Sequence, residues 1–195
     1  MAERKVVALE HLSLDGVIQG PGRKEEDPSG GFAQGGWTGL ISDPSLGPLF
    51  DKQLHQRFDL LLGRRTYDIW EQYWPHHDFW PEANVATKYV ASRTRTHGEW
   101  DQTVFLNGNL AESVKALKSQ EGPDLHVWGS SQVVQELVRH DLIDEFWLVI
   151  YPIVVGSGKR LFAWSSIPLA YRVTESTTTP RGVLVVRYQR SKSLN

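Results

Sequence analysis

The chain has 195 residues, a formal net charge of −2 at pH 7 and no cysteine. Such a charge creates no global basic field, which argues against nucleic acid or an anionic membrane as a partner. The lack of cysteine excludes disulfides, thiolate metal sites and cysteine nucleophiles, and favours a cytoplasmic protein. No segment approaches the roughly 20 apolar residues of a membrane-spanning helix. We expect a single domain over residues 1–195.

The first part of the chain alternates between strand and helix patterns. Its predicted elements are, in chain order, a strand at residues 5–13, a glycine-rich loop at 14–42, a helix at 43–58, a strand at 60–63 and a helix at 65–73. Asp43 followed by Pro44 has the pattern of an N-cap with a first-turn proline. The loop carries eight glycines. Loops of this length are usually lids or binding loops, so we expect this one to be mobile.

The remainder continues the alternation and ends in two successive strands. Its predicted elements are strands at residues 88–92 and 103–106, a helix ending near 120, a strand at 125–128, a helix at 130–140 and strands at 146–155, 171–177 and 183–190. Asn109 caps the first of these helices, and Glu112 reinforces the cap. This order predicts an α/β fold with a mixed, mostly parallel sheet, helices on both faces and an antiparallel C-terminal edge.

The most informative stretch covers residues 60–68, where a short apolar strand runs into Gly63, Arg64, Arg65 and Thr66. Glycine permits a sharp turn and a close approach of the backbone to a ligand, while the start of the following helix favours an anion. The two guanidinium groups bind phosphate oxygens in pairs. A single turn of this kind is also typical of ordinary strand-to-helix connections, so other sites must support a functional interpretation.

Two further strand ends carry groups that bind anions. One strand ends in Ser92 and Arg93. Another is followed, at a helix start, by Gly129, Ser130, Ser131 and Gln132. Ligands of open α/β sheets gather at the carboxyl ends of the strands, so three such ends favour an extended ligand with more than one phosphate. The chain contains neither a Gly-x-Gly-x-x-Gly fingerprint nor a Walker P-loop, which indicates a dinucleotide site of another design.

Five motifs occur in the order seen in dihydrofolate-reductase-like proteins. They are Ser13-Leu-Asp-Gly16, Leu62-Gly-Arg-Arg-Thr-Tyr67, Val90-Ala-Ser-Arg93, Trp128-Gly-Ser-Ser131 and the segment 152–162. The chain most resembles the branch related to the reductase (C-terminal) domain of the bifunctional riboflavin-biosynthesis deaminase–reductase. The resemblance covers nearly the whole chain, and it implies a three-layer fold with an eight-stranded mixed sheet.

This resemblance implies an NADPH-dependent reductase and a role for each turn. Arg64 would face the adenosine 2′-phosphate, with Ser92 and Arg93 nearby. Arg65 and Thr66, beside Gly63, would hold the pyrophosphate. The second helix start would approach the pyrophosphate and the nicotinamide ribose through Gly129, Ser130, Ser131 and Gln132. An arginine cluster is also what distinguishes a 2′-phosphate from a bare hydroxyl.

The resemblance places Ser13, Asp15 and Gly16 where the nicotinamide would meet a substrate. Asp15 is the candidate catalytic residue, either orienting or protonating the substrate. It is equally well interpreted as a cap of the turn that leads into the glycine-rich loop. Trp37, near the end of that loop, is predicted to bind substrate by closing over a flat ring.

The identity of the substrate is the open question. Folate-reducing members of the superfamily carry an acidic residue on the first helix, and that position here is Gly47. Asp43 is explained as the N-cap, and Asp51 lies one turn further along. We expect hydride transfer from NADPH to a small planar heterocyclic or carbonyl substrate. The alternatives are a catalytically silent nucleotide-binding module, a dihydrofolate reductase, and reduction of the ribosylamino-pyrimidine intermediate of riboflavin synthesis, which requires a second phosphate site.

Other features carry weaker signals. Lys159 and Arg160 are the available cations for a second phosphate site. His76 and His77 are adjacent and lack a third ligand, so no metal site is expected. The exposed terminal strands favour a homodimer, since edge strands are often covered by a partner. A core or interface role is predicted for the aromatic residues Trp70, Tyr73, Trp74, Phe79 and Trp80.

Overall fold

The computed structural model describes residues 3–162 and 168–191. Eight strands form one sheet in the order β4-β3-β2-β5-β1-β6-β8-β7. Their bounds are β1 Val6–Ser13, β2 Asp59–Gly63, β3 Lys88–Ala91, β4 Thr103–Leu106, β5 Leu125–Trp128, β6 Glu145–Tyr151, β7 Tyr171–Thr178 and β8 Leu184–Arg190. Strands β1 to β6 pair in parallel, whereas β8 is antiparallel to both β6 and β7. The predicted mixed sheet with an antiparallel C-terminal edge is confirmed.

Helices cover both faces of this sheet. Their bounds are α1 Gly47–Leu54, α2 Arg64–Glu71, α3 Pro81–Val85, α4 Leu110–Lys118 and α5 Ser131–Arg139. The core on one face receives apolar side chains from α1, α2 and α3, and the core on the other face receives them from α4 and α5. Strand β1 feeds both cores, because side chains alternate along a strand: Val7 and Leu9 lie on one face, Val6 and Ala8 on the other.

Two predicted elements are shorter than expected. The helix predicted at residues 43–58 is a 3₁₀ turn at Pro44–Leu46 followed by α1, which ends at Leu54. Asp43 does act as the N-cap, since its carboxylate accepts the Ser45 N–H at 3.1 Å. The strand predicted to reach residue 155 ends at Tyr151. Pro152 follows directly, and proline lacks the N–H that a central strand needs.

The glycine-rich loop at residues 14–42 is packed onto the rest of the molecule. Phe32 and Trp37 are buried within the core. The loop is also tied to residues beyond β6, because the side-chain oxygen of Gln19 accepts the Lys159 N–H at 3.0 Å and Asp27 forms an ion pair with Lys159. This segment therefore has anchors at several points along its length.

Two kinds of feature, a membrane-spanning helix and a cluster of metal ligands, are absent from the described part of the chain. No helix within residues 3–162 and 168–191 combines the length and apolar character needed to cross a membrane. No group of three or more His, Asp or Glu side chains in those ranges has an arrangement that could hold a metal ion.

Candidate active site

A cavity of about 940 Å³ opens at the carboxyl ends of β1, β2, β3 and β5. This is where the fold class is expected to bind ligands. All ten residues predicted to bind the cofactor line it, namely Gly63, Arg64, Arg65, Thr66, Ser92, Arg93, Gly129, Ser130, Ser131 and Gln132. The tertiary structure thus brings three turns that are far apart in sequence to one cavity.

Direct hydrogen bonds join the two helix starts at this cavity. The Gly63 N–H donates to Ser130 Oγ at 2.9 Å, and Thr66 Oγ1 donates to the Gly129 carbonyl at 3.2 Å. Gly129 has a φ of +58°, a left-handed conformation that favours glycine. Ser130 therefore bridges to β2 instead of capping its own helix, so the N-termini of α2 and α5 face the same space.

The three arginines at the cavity differ in what already binds them. Arg64 forms an ion pair with Asp68 at 2.7 Å. Arg65 lies 3.7 Å from a carboxylate oxygen of Asp27. Arg93 is exposed and makes no hydrogen bond or ion pair with any residue in the ranges 3–162 and 168–191. Arg93 is therefore the arginine of this group that is most available to an incoming phosphate.

The residues predicted for the substrate side are not brought to the cavity. Ser13, Asp15, Gly16 and Trp37 are all absent from its lining. Trp37 is 3% exposed and donates its indole N–H to the Gln19 carbonyl at 2.9 Å, so it forms part of the core. Gly16 has a φ of +83°, which suits a glycine at this turn. Substrate binding by these residues stays a prediction that the arrangement does not favour.

Asp15 is held by a set of hydrogen bonds. Its carboxylate accepts the Ser13 hydroxyl at 2.7 Å and the N–H groups of Val155 and Gly156 at 3.0 and 2.8 Å. Burial opposes ionisation, but these hydrogen bonds outweigh it and lower the pKa of Asp15 to about 2. Asp15 thus joins the end of β1 to the segment after β6, which corresponds to the capping interpretation of its role.

Glu10 is a cavity residue that the sequence prediction missed. It is 3% exposed, and its Oε2 accepts the Gly129 N–H at 3.1 Å, while Oε1 has no partner among the described residues. Burial raises the pKa of Glu10 to about 8, although N–H groups of Gly129 and Ser130 oppose the shift. The available signal was an acidic residue directly after the apolar run 6–9 of a predicted strand.

His11, next to Glu10, faces the opposite side of the sheet. It lines the cavity, stacks on Phe50 with ring centroids 5.3 Å apart, and approaches the Tyr151 hydroxyl at 3.2 Å. Burial lowers the pKa of His11 to about 4, so the ring is neutral at pH 7. Neither Gly47 nor Asp51 lines the cavity, and Asp51 is exposed. The carboxyl of the folate-reducing pattern on α1 therefore has no counterpart here.

Four tryptophans form a wall of the cavity, which we call the tryptophan wall: Trp70, Trp74, Trp80 and Trp128. Three of them belong to the aromatic group for which the sequence indicated a core or interface role. The other two members of that group, Tyr73 and Phe79, do not line the cavity. Aromatic residues that are widely separated in sequence thus combine into one surface.

The comparisons with known proteins agree with this geometry. A sequence profile of the RibD C-terminal domain matches residues 4–185. The chain belongs to the RibD C-terminal domain family. Two Bacillus subtilis (strain 168) relatives of this RibD-type chain are the uncharacterized proteins YyaP and YwjB. YyaP is 29% identical over 96% of each chain, and YwjB is 27% identical over 90% of this chain and 87% of its own.

Solved structures share the fold of this RibD-type chain. A Shewanella sp. PV-4 protein named as a candidate riboflavin biosynthesis protein superposes with a TM-score of 0.76 at 22% identity, covering 96% of this chain and 99% of its own. A pyrimidine reductase-like protein of Corynebacterium diphtheriae gives 0.63 at 14%, covering 98% and 94%. Enterococcus faecalis dihydrofolate reductase, solved with NADP(H), gives 0.60 at 16%, covering 96% and 97%. The predicted dihydrofolate-reductase-like fold is confirmed.

Proposed function

We propose that this protein is an NADPH-dependent reductase that transfers hydride to a small planar heterocyclic or carbonyl substrate. The observation that carries the proposal is the convergence of all ten predicted cofactor residues on one cavity. Membership of a reductase-like family supports the same class of activity.

The donors at the cavity fit a dinucleotide with a 2′-phosphate. The joined N-termini of α2 and α5 offer backbone N–H groups to a pyrophosphate, and the absence of a side chain at Gly63 and Gly129 lets the two turns pack closely, with Ser130 beside Gly63 and Thr66 beside Gly129. Arg64, Arg65 and Arg93 supply fixed positive charge for a terminal phosphate. When bound, NADPH supplies the hydride.

The remaining cavity residues would orient the substrate and exclude water. The tryptophan wall offers flat apolar surface, and the neutral His11 ring adds no charge to it. Glu10 holds the turn at Gly129 and, in its neutral form, has a proton available at the cavity. The cofactor would thus carry out the hydride transfer, while the chain would orient the substrate and exclude water from it.

Titration of the intrinsic tryptophan fluorescence with NADPH and NADH tests the cofactor assignment. We expect NADPH to bind at least tenfold more tightly than NADH. Arg93→Ala removes a charged contact to the 2′-phosphate, so it should weaken NADPH binding about 10- to 100-fold and leave NADH binding unchanged. Arg57→Ala, which changes an exposed arginine outside the cavity, is the matched control. Equal affinity for the two nucleotides would sink the assignment.

Reduction of an acceptor is tested separately from binding of NADPH. We expect loss of NADPH absorbance in the presence of a pterin, pyrimidine or quinone acceptor. If NADPH binds but no acceptor is reduced, the alternative of a silent nucleotide-binding module is favoured. Complementation of a strain that lacks the riboflavin reductase separately tests the riboflavin intermediate as substrate.

A further inference from the structure

We propose that the tryptophan wall binds an uncharged, planar, carbonyl-bearing ring that carries no phosphate. The inference rests on the proposed function and names the substrate class of that reductase. Trp70 lies six residues after Arg64 on α2, a rise of about 9 Å, so the wall is separated along the helix from the phosphate-binding turn.

The wall is a continuous aromatic surface. The ring centroid of Trp80 lies 5.6 Å from Trp70, 5.2 Å from Trp74 and 5.9 Å from Trp128, in edge-to-face contacts. Trp70 and Trp74 are half-buried, so part of each ring stays accessible. A flat ring stacked on such a surface gains aromatic contact without requiring any charge.

Two indole N–H groups of the wall lack a hydrogen-bond partner among residues 3–162 and 168–191. Trp80 donates its N–H to the Leu54 carbonyl at 3.1 Å. In contrast, the Nε1 atoms of Trp74 and Trp128 are buried and have no hydrogen-bond partner among the described residues. Leaving a buried donor unsatisfied costs about 1–3 kcal/mol, so a ring whose binding shifts these two indoles and brings acceptor oxygens to them regains that free energy. Ring carbonyl groups supply such oxygens.

Charges at the cavity disfavour a phosphate on this ligand. The described cations of the lining are Arg64, Arg65, Arg93 and Lys159. The arginines belong to the phosphate-binding turns, and Lys159 is held by its ion pair with Asp27 and by Ser29 Oγ at 2.8 Å. The carboxyl side chains of the lining are Glu10, Glu26, Asp27 and Glu136.

Arg160 is likewise engaged, with Asp15 at 3.5 Å, and it lies outside the lining. A substrate phosphate at the wall would therefore be desolvated without a free counter-charge, which is costly. The two cations that the sequence offered for a second phosphate site, Lys159 and Arg160, are both committed to holding loops together.

A matched pair of ligands tests the inference. The full-length protein, saturated with NADP⁺ so that the arginines of the phosphate-binding turns are occupied, is titrated calorimetrically with neutral 2-methyl-1,4-naphthoquinone and with anionic 1,4-naphthoquinone-2-sulfonate. The chain has no cysteine that could form covalent adducts with quinones. We expect the neutral quinone to bind at least tenfold more tightly. Equal or tighter binding of the sulfonate, or no binding of the neutral quinone, overturns the proposal.

Variants of the wall locate the binding. Trp70→Leu should weaken binding of the neutral quinone about tenfold through loss of ring contact. Trp128→Phe keeps a ring but removes an N–H donor, and should weaken binding about 2- to 10-fold. Trp100→Phe changes a buried tryptophan outside the cavity and should have no effect. Unchanged affinity in both wall variants also overturns the proposal.

The same proteins without NADP⁺ are titrated with NADPH, which separates the two proposals. If NADPH binds but the quinones are not discriminated, the inference about the substrate class fails alone. If NADPH does not bind, the proposed function fails whatever the quinones do. Thermal unfolding of each variant verifies that the fold is retained.

Discussion

At the scale of single residues, Glu10 is a carboxyl group that the fold holds neutral at pH 7. It lies on a central strand, where burial destabilises its charged form by more than the N–H groups of Gly129 and Ser130 stabilise that form. The sequence shows an acidic residue directly after the apolar run 6–9, but it does not show whether that carboxyl is buried or exposed to solvent. Burial depends on neighbours that are distant in sequence, and for Glu10 these include the turn between β5 and α5.

The pKa of Glu10 makes the free energy of unfolding depend on pH. The folded state keeps its proton up to a pKa of about 8, whereas the usual value is 4.5, so the folded state binds more protons between these limits. Its stability therefore falls as pH rises through this window, by up to roughly 1.4 kcal/mol per pH unit. Glu10→Gln keeps the shape and removes the titration.

We expect the free energy of unfolding of Glu10→Gln, relative to that of the unsubstituted protein, to increase by about 2–4 kcal/mol from pH 5 to pH 8. Over this range the unsubstituted protein loses stability because Glu10 ionises in its unfolded state but stays protonated in its folded state, whereas the glutamine does not titrate. Urea denaturation at the two pH values measures this difference. Glu25→Gln, at an exposed carboxyl on the glycine-rich loop, is the control. A constant difference for Glu10→Gln at both pH values contradicts the expectation.

At the scale of elements, the turn after β1 and the end of β6 depend on one carboxylate. Asp15 accepts the Val155 and Gly156 N–H groups, and this segment follows the proline that ends β6. Hydrophobic periodicity predicted a strand to residue 155, since the apolar run continues past Pro152. The pairing of those N–H groups with a side chain far away in sequence has no signature in the local pattern.

Removing this carboxylate should affect stability more than cofactor binding. We expect Asp15→Ala to lower the free energy of unfolding by about 2–4 kcal/mol, because charge-assisted hydrogen bonds contribute about 1.5–3 kcal/mol each. NADPH affinity should change less than threefold. Chemical denaturation and fluorescence titration measure the two effects, with the exposed Asp51→Ala as control. A stable Asp15→Ala variant that loses only turnover would restore the catalytic role.

The packing of the glycine-rich loop is also not apparent from its local sequence. Its glycines predicted mobility, and Trp37 was expected to cover a ligand ring. In the structure Trp37 is buried against Tyr151, with ring centroids 5.6 Å apart, and its N–H is satisfied within the loop. Composition describes the freedom of the isolated chain, while the buried aromatic side chains determine where the loop packs.

At the scale of the whole molecule, we propose that two copies associate through the C-terminal edge of the sheet. Strand β7 has β8 as its single neighbouring strand within the described ranges, and it is exposed along most of its length. Val173 on this strand is 56% exposed. Edge strands with unpaired backbone groups readily accept a partner strand.

Light scattering tests the homodimer. We expect twice the monomer mass for the unsubstituted protein at micromolar concentration. Val173→Lys should give the monomer mass, because a lysine on an edge strand opposes strand pairing. Thermal unfolding verifies that the variant is folded. A monomer at all concentrations for the unsubstituted protein rules the dimer out.

Local sequence patterns predicted the order of strands and helices and the antiparallel C-terminal edge, and the motif resemblance predicted the family and the ten residues that line one end of the cavity. Periodicity and motifs are properties of short segments, so they can be recognised before the chain is folded. The tertiary structure alone decided that Glu10, His11 and the tryptophan wall join that cavity, and that Ser13, Asp15, Gly16 and Trp37 lie outside it. Burial, pKa shifts and unpaired donors arise from contacts between distant segments, so no local pattern contains them.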